Sequence, residues 1–143
     1  MQASAAIPER NLRTGSASIW AGRLLSGLVI VFLVLDSGMK IPPLQPVVDT
    51  MGTLGWPSDA GTSRTLAALL LVSTALYAWP RTAVLGAILI TAYLGGAVAA
   101  HTRVGSPLLS HTLFGAYVGI MAWAGLWLRE PRLRRLMPLA GAR

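Results

Sequence analysis

The stretch TAVLGAILITAYLGGAVAAHTRVG, Thr82 to Gly105, decides how this chain is built. It carries no charge from Thr82 to Ala100, and then His101 and Arg103 arrive within one turn. An uncharged run of that length is close to the roughly 20 residues that a helix needs to cross a bilayer. The small residues Ala92, Gly95, Gly96, Ala97, Ala99 and Ala100 are expected to let a neighbouring helix approach closely, with a ligand channel as the lesser alternative. The glycines form no dinucleotide fingerprint, because no strand precedes them and no soluble helix follows.

Three further apolar runs flank this one: Ile19 to Leu35, Ser63 to Trp79, and Leu108 to Leu128. Only 12% of the 143 residues are charged, 54% are hydrophobic, and the mean hydropathy is +0.60. A soluble domain is closer to a quarter charged. Too little polar surface remains to face water, so lipid is the expected solvent. The fold class that follows is all-α, a four-helix transmembrane bundle, with residues 1–18 as an N-terminal tail, 19–138 as the membrane domain and 139–143 as a C-terminal tail. Pro80 and Arg81 form a tight turn, which makes runs two and three antiparallel neighbours. Asp59 or Ser58 is placed to cap run two after Pro57. The first run is too long for a cleaved signal peptide and lacks a small-residue cleavage site.

The charges orient the spans. Arg10, Arg13, Arg23, Arg81, Arg129, Arg132, Arg134, Arg135 and Arg143 fall on one side of a four-span topology. Lys40, Arg64 and Arg103 fall on the other. The positive-inside rule then puts both termini of a multi-pass chain in the cytoplasm. The net charge of +7 reads as this topological bias, and no nucleic acid is expected as a partner. Trp20, Trp56, Trp79, Trp123 and Trp127 fall near span ends, where amphipathic rings form a belt.

The longest internal connection, Asp36 to Thr62, lies on the outer side and is bounded by Pro42, Pro43, Pro46 and Pro57. Val47, Val48, Met51 and Leu54 recur at helical spacing, so a short interfacial helix is expected there. Asp36 and Lys40 are spaced to pair if the first helix persists that far. Arg64, His101, Arg103 and His111 reach the same outer end, and Tyr93 sits two turns below His101. These seven residues are the candidate site. Asp36, His101 and Tyr93 are the acid/base candidates, His101 foremost because imidazole titrates near neutral pH. Lys40, Arg64, Arg103 and His111 are the candidates for binding a substrate. The rival reading is ion pairing and loop anchoring at helix ends. There is no Cys, which excludes thiol chemistry by this chain. Two His and no carboxylate cluster argue against an all-protein haem or zinc site, so no metal is expected.

Three segments resemble the DoxX-like family of small four-helix membrane proteins: Phe32 to Lys40, Tyr93 to Gly105, and Gly125 to Arg129. The likeness extends from about Trp20 to Pro138, with the Leu-Gly-Gly-Ala…His…Arg-Val pattern as its most specific part. The family takes its name from a small subunit of a thiosulfate:quinone oxidoreductase, and related members are described as partners of thiol or oxidative-stress systems. The resemblance implies a four-helix integral protein of the bacterial inner membrane. With the charges converging at one end, the expected function is a membrane subunit that binds a quinone-like or other small amphiphilic molecule and supports an oxidoreductase. No cofactor held by the chain itself is expected, with a quinone as the candidate ligand. A stand-alone enzyme acting on an apolar substrate and a non-catalytic assembly partner are the rivals. Membrane lipid is a partner in each case, and homo-oligomers through the Gly-Gly-Ala face are compatible with all three.

Overall fold

The computed structural model describes residues 10–136, with side chains over 16–133. Among these residues the chain is all-helical: α1 (Arg10–Lys40), α2 (Gln45–Thr53), α3 (Ala60–Ala78), α4 (Ala83–Arg103), α5 (Phe114–Arg129) and α6 (Pro131–Leu136), with one π-helical turn at Leu108–Thr112. Arg10 to Ser18, expected as part of a tail, belong to α1. They contain no proline, and a formed helix propagates cheaply into such a segment. The remainder of the expected tails, 1–9 and 139–143, lies outside the described residues.

Three segments are long and apolar enough to cross a membrane: Ser16–Lys40, Ala83–Arg103 and Leu108–Arg129. The fourth long helix, α3, opens on Gly61, Thr62, Ser63, Arg64 and Thr65, which dilute its apolar run. Asp59 caps it: its carboxylate accepts from the Thr62 amide at 2.9 Å and from the Thr62 hydroxyl at 2.7 Å. The expected short helix in the long connection is α2, with Pro46 in its first turn, where the missing N–H costs nothing.

α1 packs against α3 and α5, and α4 packs against the same two, so the four long helices close a ring of neighbours. Their directions alternate. Lys40, at the end of α1, meets Ser63 at the start of α3, whose hydroxyl donates to the Lys40 carbonyl at 2.8 Å. At the opposite end Ser26 of α1 meets Tyr77 near the end of α3. One end therefore gathers the terminal segments and Arg81; the other gathers α2 and the π turn. They are called here the terminal end and the loop end.

Inside the ring lie Val29, Leu33, Leu70, Tyr77, Ile90, Val118 and Leu126. Outside it, Leu28 (62% exposed), Leu69 (56%), Ile88 (51%) and Ile120 (67%) point away from the protein, one on each long helix. An apolar exterior of this extent suits a lipid solvent. In lipid the helices are held by close packing and buried hydrogen bonds rather than by the hydrophobic effect.

The close approaches do not fall on Gly95 and Gly96, as the sequence suggested. A Cβ on either would meet nothing within 4 Å, because both face outward. The tight crossings use other glycines. A Cβ on Gly22 would lie 2.8 Å from the Gly125 carbonyl oxygen, and one on Gly125 would lie 2.7 Å from Ser26 Oγ. A Cβ on Gly86 would collide with the Tyr77 backbone, so this glycine sets how closely α3 and α4 meet after the Pro80–Arg81 turn.

Candidate functional site

The loop end collects the candidate residues by simple means. α1 stays helical to Lys40, so Asp36 and Lys40 fall on one face and form an ion pair, with side chains 29% and 15% exposed. One turn below Asp36, Phe32 meets Phe114 of α5 edge to face, with ring centroids 5.4 Å apart. That contact ties the end of α1 to the start of α5.

α4 ends in a Schellman motif. Gly105 has φ +66°, its amide donates to the Thr102 carbonyl at 3.1 Å, and the Ser106 amide donates to the His101 carbonyl at 3.0 Å. The motif folds Ser106 back over the last turn, which sets its hydroxyl 3.0 Å from His101 Nδ1. Pro107 then starts the π turn, its carbonyl accepting from both His111 and Thr112 amides at 3.1 Å. The Thr112 hydroxyl ties back to the Ser106 carbonyl at 3.1 Å. The wide turn carries His111 to His101, with ring centroids 5.9 Å apart and planes at 57°. Ser110 Oγ sits 2.8 Å from His111 Nδ1.

Arg64 and Arg103 are engaged elsewhere. Arg64 Nε donates to the Ile41 carbonyl at 3.2 Å, and the Arg103 guanidinium donates to the Leu54 carbonyl just after α2. Each cation satisfies a backbone oxygen of the long connection and anchors α2 over the loop end. Tyr93 is half-buried and packs against the core. The structure thus brings together His101 with His111 and Asp36 with Lys40, and it draws Arg64 and Arg103 toward the loop.

The main concavity lies between α4 and α5. It is a groove of about 670 Å3, almost wholly apolar, walled by Leu94, Gly95 and Val98 on one side and Gly115, Gly119 and Trp123 on the other. Leu133 of α6 closes its terminal end together with Trp127. Gly95 and Gly119 create the space by lacking side chains. Trp123 Nε1 donates to Thr91 Oγ1 at 2.8 Å, and that hydroxyl donates on to the Ala87 carbonyl at 2.8 Å, so the indole is fixed as a wall. Trp123, expected near a span end, lines the groove and is tied across to α4 by that hydrogen bond. At the opposite end the groove stops at Val98 and Gly115. His101 follows Val98 by three residues and His111 precedes Gly115 by four, so the histidine pair lies just beyond its polar end. A smaller concavity of about 430 Å3 lies between the end of the α2 connection and α4, bounded by Trp56, Gly96 and Arg103.

Sequence reasoning missed Ser106 and Ser110, and it gave Trp123 a belt position rather than a place on the groove. The Gly105-Ser106 pair after His101 was a usable signal, since a glycine at that place predicts a Schellman turn. The groove had a signal in Gly95, where a ligand channel was the lesser alternative to close packing.

The fold and the three spans define a multi-pass α-helical membrane protein. A family model described as the DoxX-like family matches residues 24–125, and the chain belongs to that family. No curated protein and no solved structure matches the chain.

Proposed function

We propose that this protein is a membrane subunit that binds a quinone-like or similar small amphiphile in support of an oxidoreductase system. The single observation behind this reading is the apolar α4–α5 groove that runs up to the His101–His111 pair. Its lining suits a hydrocarbon or isoprenoid tail, and the imidazoles beyond it suit a polar head, the usual division of a small-molecule site into apolar walls and a few polar groups. In this reading His101 holds and releases a proton at its ring, since imidazole titrates near neutral pH. Ser106 orients that ring. Lys40, held by Asp36, adds positive charge at the same end of the helices. Tyr93 supports α4 from the core side.

The full architecture in this reading is a four-helix transmembrane bundle. The exposed Leu69 and Val72 on α3 support its crossing the membrane as the fourth span. α2 lies in the interface over the loop end. The basic residues Arg23, Arg81, Arg129 and Arg132 sit at the terminal end and favour a cytoplasmic position for it in a bacterial inner membrane. A second reading, a non-catalytic assembly partner, draws support from Arg64 and Arg103, both of which anchor the long connection.

The test uses purified protein in detergent and decylubiquinone as the probe. Quinones quench indole fluorescence, and Trp123 and Trp127 line the groove. Saturable quenching is expected, weakened at least tenfold by Gly95→Leu, which fills the groove where a side chain has open space. His101→Ala is expected to weaken binding as well. Equal quenching in wild type and Gly95→Leu would sink the proposal and leave the assembly role as the better account.

A further inference from the structure

We propose that His101 and His111 together bind a divalent transition-metal cation, Cu(II) before Zn(II), through their Nε2 atoms. These are the only two histidines in the chain, and the fold brings them into contact. Each ring has a serine hydroxyl at its Nδ1, 3.0 Å from Ser106 for His101 and 2.8 Å from Ser110 for His111. When the hydroxyl accepts, Nδ1 carries the proton and Nε2 keeps its lone pair. Metal-binding histidines are oriented in this manner, the second nitrogen donating to a neighbour that fixes tautomer and ring direction.

The spacing suits one shared cation. With metal–nitrogen distances of about 2.0–2.1 Å, two imidazoles on one ion have ring centroids roughly 4.5–6.5 Å apart, according to the angle at the metal. The observed separation is 5.9 Å. Imidazole pairs favour Cu(II) over Zn(II) by the ordinary affinity order of first-row ions. Among the described residues no group of three or more His, Asp or Glu could surround a metal, so water completes the coordination shell. His111 is exposed at the loop end, which opens the pair to a cation arriving from water. The π turn is what makes the site: a regular α-helical start would aim residue 111 along a different direction.

This inference uses the polar end of the proposed groove but not its ligand. A bound cation occupies the nitrogens that proton exchange would need, so cation and proton exchange exclude each other there.

The experiment is a Cu(II) titration of the purified chain, prepared without a polyhistidine tag, followed by electron paramagnetic resonance. One equivalent is expected to bind with splitting from two imidazole nitrogens. H101Q and H111Q should each weaken binding at least tenfold and reduce the splitting to one nitrogen. H111Q replaces an exposed side chain, so its fold is retained, and far-ultraviolet circular dichroism confirms it. Gly95→Leu should bind Cu(II) as wild type does, whether or not decylubiquinone enters the groove, which separates the two proposals. Equal Cu(II) binding by wild type and the H101Q/H111Q double variant, or a spectrum without imidazole nitrogen, overturns the site.

Discussion

Arg129 of α5 donates from its guanidinium to the Tyr77 carbonyl of α3 at 2.8 Å, and the same guanidinium lies 4.9 Å from the centre of the Tyr77 ring. Tyr77 itself is fully buried. Its hydroxyl donates to the Ala122 carbonyl at 2.7 Å and meets Ser26 Oγ at 3.0 Å. One tyrosine therefore joins α1, α3 and α5, and one arginine closes the join at the terminal end. Both residues lie away from the groove's polar end, so their contribution is to the shape of the protein.

Tyr77→Phe removes the hydroxyl and leaves Ser26 and the Ala122 carbonyl without that partner. The expected loss is about 1 kcal/mol, the scale of a buried hydrogen bond inside a membrane protein. Thermal unfolding in detergent checks it. A midpoint identical to wild type would show that the hydroxyl is not a fastener.

Gly22→Ala should destabilise while Gly95→Ala should not. The first puts a Cβ 2.6 Å from the Arg129 amide nitrogen, a backbone atom that cannot move alone. Overpacking of this kind costs about 1–3 kcal/mol. The second puts a Cβ into open space. Comparing the two variants by thermal unfolding separates a packing glycine from a groove glycine, and equal midpoints would contradict the assignment.

Gly105→Ala strains a residue at φ +66°, where a Cβ costs about 1 kcal/mol. Because that turn places Ser106 over His101, the variant should also disturb the histidine pair. The check is whether the His101 ring proton shifts, read by nuclear magnetic resonance, change more in Gly105→Ala than in Gly96→Ala. Similar spectra would mean that Ser106 holds its place without the turn.

Asp59 is held below the ordinary carboxylate range, first by the hydrogen bond from the Thr62 hydroxyl and then by the Thr62 amide. A folded-state value below the unfolded one gives a cap that is fully present above about pH 4 and is lost as pH falls through the folded value. Hydrogen exchange at the Thr62 and Ser63 amides should therefore accelerate on acidification relative to mid-helix amides, after correction for the intrinsic rate. Asp59→Asn, which still accepts but does not titrate, should remove that dependence. A variant with the same acid response as wild type would place the change elsewhere.

What was legible in the sequence was governed by neighbours along the chain. The Asp36–Lys40 pair follows from a four-residue spacing once α1 continues. The Asp59 cap follows from its place before an apolar run. Lys40, Arg64, Arg103 and both histidines lie at one end, the end at which successive alternating helices bring them together. The site within that end was less legible. Arg103, a candidate for binding a substrate, donates to the Leu54 carbonyl and also bounds the smaller concavity, a pairing set by the long connection folding over α4.

By itself the sequence determined an all-helical membrane chain and the end at which its polar residues collect, since these depend on composition and on contacts a few residues apart. Only the tertiary structure decided which glycines touch a neighbour, which leave a groove, and which imidazole meets which. Gly22 and Gly95 are alike in their local sequence surroundings, each being a glycine in an apolar helix. One packs against the neighbouring α5 and the other faces outward, and the rotation of each helix about its own axis is set by the whole set of packed partners.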